Sequence, residues 1–215
     1  MHYTSVLFDL DGTLLDTLGD LTAAMNRTLT RHGLPERTRQ QMRAALGNGA
    51  RRLMELSVPA ETGGALFETL LAEYNADYAA HCRIETAPYP GVDALLQQLH
   101  AQGRKLAIVS NKPDEAVRAL RAEFFADTVP IAVGEKQGIR RKPAPDTLLT
   151  AMAQLGADPA STVYVGDSEV DIATARAAGL PCISVLWGFR DRDLLEQAGA
   201  QQFAADTGEL ASLLD

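Results

Sequence analysis

The sequence is poor in cysteine: Cys82 and Cys182 are the two it has, and they stand far apart. Two cysteines cannot build a disulfide framework, and no Cys-x-x-Cys pair or cluster of cysteine and histidine indicates a zinc site. The histidines share no spacing typical of metal ligands; they are His2, His32, His81 and His100. We therefore expect a protein of a reducing compartment, the cytoplasm, without a disulfide framework or zinc.

Long apolar runs and positive charge are also scarce. The first apolar run, Val6-Leu7-Phe8, stops at Asp9 and is too short for a signal peptide or a membrane span. Twenty Lys and Arg stand against 28 Asp and Glu, which gives a formal net charge of −8. A chain this acidic lacks the basic face that nucleic acids and membrane surfaces bind, so we expect neither partner. It can still bind a phosphate where a metal ion and a few placed cations reverse the local field.

What the sequence does contain is a regular alternation of short apolar runs and helical segments. The apolar runs are continuous, as is typical of strands buried on both faces of a parallel sheet; they are 3–8, 106–109, 129–133, 163–165 and 182–186. The helical segments between them are 91–101, 113–125, 145–155 and 168–178. Gly156 and Gly179 follow the last two and are expected helix stops. This order predicts an α/β fold with a doubly wound parallel sheet.

One stretch, residues 16–86, contains no good strand run. It has the pattern of successive helices at 17–32, 36–46, 50–56 and 62–81, with glycine breaks at 47–49 and 63–64. At about seventy residues it is too long for a single connection between strands. We therefore predict an inserted α-helical domain at 16–86 and a core domain made of 1–15 and 87–215.

Polar residues follow the predicted strands at the edge where open α/β sheets bind ligands. Four separate segments supply them, and they are Asp9, Asp11, Ser110, Asn111, Lys142, Asp167 and Asp171. Carboxylates gathered at one edge repel each other and raise their pKa values, and a divalent cation removes that cost. A ligand set of oxygen atoms, without histidine or cysteine, favours Mg²⁺ over Zn²⁺.

The order of these segments resembles the motif order of the haloacid dehalogenase superfamily. It runs Asp-x-Asp-Gly-Thr, hydrophobic-hydrophobic-Ser-Asn, Lys-Pro, Gly-Asp-x-x-x-Asp and spans the predicted core from end to end. The resemblance implies a Rossmann-like core with a helical cap inserted between the first two motifs. Within the helical block, Leu46-Gly47-Asn48-Gly49-Ala50 looks like the cap loop of phosphoglycolate phosphatases. Residues 89–92 resemble the segment that returns from the cap to the core.

The resemblance implies roles for the first-motif carboxylates. Asp9 is the expected nucleophile, which attacks phosphorus to form an aspartyl phosphate. Asp11 is the expected general acid for the leaving oxygen and then the base for water. The dehalogenases that attack carbon lack this second aspartate, so a dehalogenase is disfavoured. Mg²⁺ is expected on Asp9, the Asp11 carbonyl and Asp167.

The other motifs complete the expected machinery. Asp171 is expected to orient a metal-bound water or Lys142, with direct metal ligation left open. Ser110 and the Asn111 amide are expected to donate hydrogen bonds to the phosphoryl oxygens, and Lys142 to neutralise the phosphate and the nucleophile. The resemblance also implies a cis peptide bond between Lys142 and Pro143.

Weaker candidates flank these motifs. Gly12 is expected mainly to form the turn, with its amide also within reach of the phosphate, and Thr13 is a candidate phosphate or turn contact. Asn48 and Arg51, in and after the cap loop, are candidate substrate contacts. Arg190 belongs to a charged run that we interpret as solvated surface.

The leading interpretation is a Mg²⁺-dependent phosphatase for a small phosphate monoester, similar to phosphoglycolate phosphatases. A sugar phosphomutase of the same superfamily shares the core residues, and pyrophosphate or nucleoside monophosphate hydrolysis also stays open. A receiver-type signalling domain is disfavoured, because its phosphorylated aspartate ends the third strand rather than the first. The expected partner is a small phosphorylated metabolite. The oligomeric state is not predicted.

Overall fold

The computed structural model describes residues 3–215, so His2 and the start of the predicted core domain lie outside the described residues. The chain divides into two compact units. The core unit comprises the chain up to Leu15 together with Pro88–Asp215, and the helical unit comprises Asp16–Ala87. The predicted insertion, 16–86, and the helical unit differ by one residue.

The described residues contain eight strands and ten α-helices. The strands are β1 (Ser5–Phe8), β2 (Leu15–Asp16), β3 (Ala87–Pro88), β4 (Lys105–Pro113), β5 (Ile131–Glu135), β6 (Thr162–Gly166), β7 (Cys182–Val185) and β8 (Gln202–Ala204). The helices are α1 (Leu18–Arg31), α2 (Arg39–Ala45), α3 (Gly49–Ser57), α4 (Gly64–His81), α5 (Val92–Ala101), α6 (Asp114–Phe124), α7 (Asp146–Leu155), α8 (Glu169–Ala178), α9 (Arg192–Gln197) and α10 (Thr207–Leu214).

The core unit is built on one parallel sheet of six strands, in the order β5-β4-β1-β6-β7-β8. All four residues of the central strand β1 are buried, which explains the continuous apolar run Val6-Leu7-Phe8 within it. Aliphatic side chains from β1, β4 and α7 meet in one cluster that includes Leu7, Val109 and Leu148. The predicted α/β fold with a parallel sheet is confirmed.

Helix boundaries in the core unit follow the predicted stop signals. α7 and α8 end at Gly156 and Gly179, which have φ angles of 57° and 71° in the left-handed region that favours glycine. Pro113 differs from the prediction. It was expected as the first residue of a helix, but it is extended and still pairs with Glu135 of β5, so α6 begins one residue later.

The helical unit has a charged anchor that joins its beginning to its end. The buried Asp20 carboxylate, in the first turn of α1, accepts hydrogen bonds of 2.8–3.0 Å from the backbone of Ile84, Glu85 and Thr86 and from the Thr86 hydroxyl. A second buried carboxylate, Asp77 of α4, pairs with Arg27 and Arg31 of α1. Within residues 3–215, no helix combines the length and the apolar character needed to cross a membrane.

Candidate active site

The strand order explains why distant motifs meet. β1 lies between β4 and β6, and all three strands run parallel, so their carboxyl ends share one edge of the sheet. Asp9 follows β1, Ser110 lies near the end of β4, and Asp167 follows β6. Ligands of such sheets bind at this edge. The structure therefore brings together the core residues that the sequence predicted as a site.

Three buried carboxylates form the centre of the site. Each of Asp9, Asp167 and Asp171 offers one oxygen, and these three oxygens lie within 4.8 Å of one another. Asp171 is fixed at the start of α8, where the Ser168 backbone N–H and hydroxyl donate to its Oδ2 at 3.1 and 2.6 Å. Gly166 makes room for it, because a Cβ there would lie 2.4 Å from the Asp171 side chain.

The ammonium group of Lys142 lies between two carboxylates of this cluster, Asp9 and Asp171. Its Nζ donates to Asp9 Oδ1 at 2.8 Å, to Asp171 Oδ1 at 2.7 Å and to the Tyr164 hydroxyl at 3.0 Å. Its backbone is held by the Asn111 side chain, which accepts from Lys142 N at 2.8 Å and donates to Lys142 O at 3.0 Å. The Lys142–Pro143 peptide bond is cis, as predicted.

The site carries more negative than positive charge, and the pKa values reflect it. Burial raises the pKa of Asp9 well above its ordinary value, Asp171 raises it further, and Lys142 opposes both. Burial and the charge of Asp171 raise the pKa of Asp167 to about 7. Burial lowers the pKa of Lys142, but Asp171 and Asp9 outweigh it, so the lysine pKa is raised overall. A divalent cation bound among the three carboxylates would reduce the repulsion between their charges. Their oxygen donors fit Mg²⁺.

Asp11 forms an ion pair with a second lysine, Lys112. Lys112 Nζ lies 2.9 Å from Asp11 Oδ1, and the Ser110 hydroxyl lies 3.5 Å from Asp11 Oδ2. The Ser110 hydroxyl also accepts from the Lys112 backbone N–H at 3.1 Å. The side chains of Asp11, Ser110 and Lys112 thus form a second polar group on the same edge of the sheet.

Comparison with known proteins agrees with the motifs. Residues 6–185 match the family model described as haloacid dehalogenase-like hydrolase. This chain belongs to that family. A phosphoglycolate phosphatase of Xanthomonas campestris is 36% identical over 187 residues, which cover 86% of this chain and 84% of the relative. An N-acetylmuramic acid 6-phosphate phosphatase of Pseudomonas aeruginosa is 32% identical over 217 residues, which cover 100% of this chain and 96% of the relative.

Solved structures of the haloacid dehalogenase-like hydrolases agree as well. A protein from Lactobacillus delbrueckii subsp. bulgaricus, proposed to be a phosphoglycolate phosphatase, superposes with a TM-score of 0.94 at 36% sequence identity. The superposition covers 100% of this chain and 99% of that one. The comparisons therefore confirm the predicted class of enzyme, a hydrolase of phosphoric monoesters similar to phosphoglycolate phosphatases.

The first haloacid dehalogenase motif continues into Gly12 and Thr13, which lie beside the buried carboxylate of Asp167 in this structure. Gly12 has a φ of 87°, and a Cβ there would lie 2.3 Å from Asp167 Oδ2. Its N–H donates to Leu15 O at 2.9 Å, and the Thr13 hydroxyl lies 3.5 Å from Asp167 Oδ1. Contact of Gly12 and Thr13 with a phosphate stays a prediction.

The loop after β7 contributes residues that the sequence analysis missed. Phe189 N–H donates to Asp167 Oδ2 at 2.6 Å. Arg190, expected at the surface, is 7% exposed and pairs with Glu169 at 2.8 Å. Its charge partly offsets the rise in the pKa of Asp167 that burial and Asp171 cause. The prediction was wrong because Arg190 opens a charged run whose other members are exposed, so composition alone placed it outside.

The predicted substrate residues Asn48 and Arg51 belong to the helical unit. Asn48 precedes α3 as its N-cap, without a side-chain capping bond. Arg51 makes two hydrogen bonds of 3.0 and 2.9 Å with Glu68 of α4, and its guanidinium lies 5.3 Å from the centre of the Phe67 ring. Arg51, Phe67 and Glu68 line a cavity of about 470 Å³ within this unit. A role for Asn48 or Arg51 in substrate binding stays a prediction.

Proposed function

We propose that the protein is a Mg²⁺-dependent phosphatase that acts through an aspartyl phosphate on Asp9. The observation that carries the proposal is the buried cluster of Asp9, Asp167 and Asp171 with Lys142 lying between two of its members. Bound Mg²⁺ would be held by Asp9, Asp167 and the Asp11 carbonyl, where it would neutralise charge on the phosphoryl oxygens. Asp171 would then serve chiefly to hold Lys142. The two free cysteines agree with a cytoplasmic location.

The chain's own residues divide the reaction into two displacements. In the first, an Asp9 carboxylate oxygen bonds to phosphorus as the ester P–O bond breaks, and Asp11 gives a proton to the leaving oxygen. In the second, Asp11 takes a proton from water while the water oxygen attacks phosphorus, which releases phosphate and restores Asp9. Lys142, the Ser110 hydroxyl and the backbone amide of Asn111 would hold the phosphoryl oxygens in line.

The substrate we propose is a phosphate monoester whose alcohol also carries a carboxylate. Two relatives support this class, because phosphoglycolate and N-acetylmuramic acid 6-phosphate are both phosphate esters with a carboxylate. Phosphoglycolate is the first candidate, since that relative has the higher identity. N-acetylmuramic acid 6-phosphate is the second, because that relative matches the full length of this chain.

A panel of matched esters tests this proposal. Each candidate is paired with an ester that lacks its carboxylate: phosphoglycolate with 2-hydroxyethyl phosphate, and N-acetylmuramic acid 6-phosphate with N-acetylglucosamine 6-phosphate. We expect one carboxylated ester to rank first by kcat/KM, with activity lost in EDTA and restored by Mg²⁺. Full turnover in EDTA would contradict the metal proposal. Equal kcat/KM within both pairs, or a preference for pyrophosphate or a nucleoside monophosphate, would contradict the substrate class.

Stabilisation of the protein by Mg²⁺ should depend on pH. Burial and Asp171 raise the pKa of Asp167 to about 7, so the folded state holds a proton that the unfolded state releases near pH 4. The metal-free protein should therefore lose stability as pH rises through 4 to 7, and Mg²⁺ should offset this loss once Asp167 is ionised. We expect Mg²⁺ to raise Tm more at pH 8.5 than at pH 5.5, measured by calorimetry at matched ionic strength. Asp167→Asn should remove most of the difference, whereas an equal shift at both pH values would contradict the prediction.

A further inference from the structure

Two of the four lysines in the chain are buried, and both reach the first motif. Lys142 pairs with Asp9 at 2.8 Å, and Lys112 pairs with Asp11 at 2.9 Å. The side chain of Lys112 is 5% exposed and that of Asp11 is 19% exposed. Each aspartate of the first motif thus has a buried ammonium group of its own. Of the two lysines, only Lys142 was predicted from the sequence to have a role.

Packing alone does not explain a lysine at position 112. Burying an ammonium group is costly unless a carboxylate compensates it, and an apolar side chain would fill the same space without that cost. The backbone is also arranged for this contact. The pairing of β4 with β5 shifts register between Val109 and Pro113, and irregularities of this kind redirect side chains, often beside active sites. The Lys112 N–H is at the same time held by the Ser110 hydroxyl.

We propose that Lys112 is the positioning residue for Asp11: it holds the side chain where the carboxyl proton can pass to the leaving oxygen and where the carboxylate can then take a proton from water. The inference rests on the proposed role of Asp11 as general acid and base. Proton transfer needs the two heavy atoms about 2.6–3.2 Å apart, so a carboxylate free to change rotamer would spend much of its time out of reach. The Lys112 ion pair at Oδ1 restricts the Asp11 side chain, and the Ser110 hydroxyl lies 3.5 Å from Oδ2.

The proposal predicts a loss that depends on the leaving group. Aryl phosphates from phenyl to 4-nitrophenyl phosphate carry no carboxylate and differ mainly in how much the departing oxygen needs a proton. We expect Lys112→Met to lower kcat/KM for phenyl phosphate about tenfold more than for 4-nitrophenyl phosphate. The comparison uses kcat/KM because it covers only the steps up to release of the alcohol. Hydrolysis of the intermediate is common to all esters and does not enter it.

Four further variants complete the test. Asp11→Asn should steepen the dependence of kcat/KM on the leaving group more than Lys112→Met does. Asp11→Asn combined with Lys112→Met should show the same dependence as Asp11→Asn alone, since the lysine acts through the aspartate. Lys112→Arg should restore part of the loss, because it keeps the positive charge. Lys105→Met, on the exposed first residue of the same strand, should behave as wild type.

The outcomes separate this inference from the proposed function. Equal losses for all aryl phosphates in Lys112→Met would overturn the inference and indicate that Lys112 contacts the phosphate itself. A double variant with a steeper dependence than Asp11→Asn alone would overturn it too. An Asp11→Asn variant whose loss is the same for every ester would overturn the proposed role of Asp11 and the inference with it. Retention of the Mg²⁺-induced rise in Tm shows that Lys112→Met is folded. If Lys112→Met does not fold, the dependence of kcat/KM on the leaving group in Lys112→Arg tests the inference instead.

Discussion

Replacing Asp9 with asparagine should abolish turnover while leaving the protein folded. An amide cannot form the acyl phosphate that the mechanism requires, and removal of a catalytic nucleophile can cost on the order of 10⁶-fold in kcat. Folding should survive, because burial raises the pKa of Asp9 and a neutral side chain suits the site better than a carboxylate. Lys142 keeps its pair with Asp171. We therefore expect a Tm of the metal-free variant equal to or above that of wild type.

The intermediate itself can be located. Asp11→Asn retains the nucleophile but lacks the base for water, so the phosphoryl group should accumulate on the protein after an acid quench. Mass spectrometry should place that group on Asp9. Asp93→Asn, at an exposed position of α5, is the matched control and should keep wild-type activity. A phosphoryl group on Asp167 or Asp171, or full activity in Asp9→Asn, would contradict the mechanism.

Lys142→Met should impair both catalysis and stability. In the proposed mechanism the Lys142 ammonium would stabilise charge on the phosphoryl oxygens, and loss of one such donor typically lowers kcat by about 10²–10³-fold. Asp9 and Asp171 would also lose the cation buried between them, which typically costs about 3–5 kcal/mol of unfolding free energy. The cost should be larger in the metal-free protein at pH 8.5 than at pH 5.5, because fewer protons are available at the higher pH to take the place of the lysine charge.

Lys142→Arg should not restore activity. The Nζ atom of Lys142 donates to groups on three sides, and a planar guanidinium cannot reproduce that geometry in a buried space of the same size. Denaturant unfolding and kcat/KM for 4-nitrophenyl phosphate measure the two effects separately, with Lys105→Met as the exposed control. More than a tenth of wild-type kcat/KM in either Lys142 variant would contradict this prediction.

The clearest strand and helix patterns in the sequence were sufficient to predict most of the strands and helices of the core unit. Strands buried on both faces are continuous apolar runs, which is why β1, β4, β6 and β7 were found. β5 was found as well, although it spans 131–135 rather than the predicted 129–133. β8 was missed because it spans three residues at the edge of the sheet and begins with the exposed Gln202. The helices α9 and α10 were missed because they follow the last predicted strand, where no further alternation marks them.

The site was predictable where a motif residue directly follows a strand, as Asp9 and Asp167 do. It was not predictable where position depends on the path of the backbone. Lys112 directly follows the Ser-Asn motif, but the direction of its side chain depends on the irregular pairing of β4, which leaves no trace in composition. Tyr164 carried a signal that was overlooked, since a hydroxyl inside an apolar strand run needs a buried partner. Its partners are Lys142 and Asp171.

The Asp20 anchor has a consequence for how this protein can evolve. The Asp20 carboxylate fastens the entry of the helical unit to its exit at residues 84–86, so the two ends are closed by the insertion's own contacts. A segment closed in this way can gain, lose or exchange residues between its ends at little entropic cost to the rest of the chain. Recombination or drift could then vary the helical unit, where the proposed substrate contacts Asn48 and Arg51 lie, while the residues of the sheet stay unchanged.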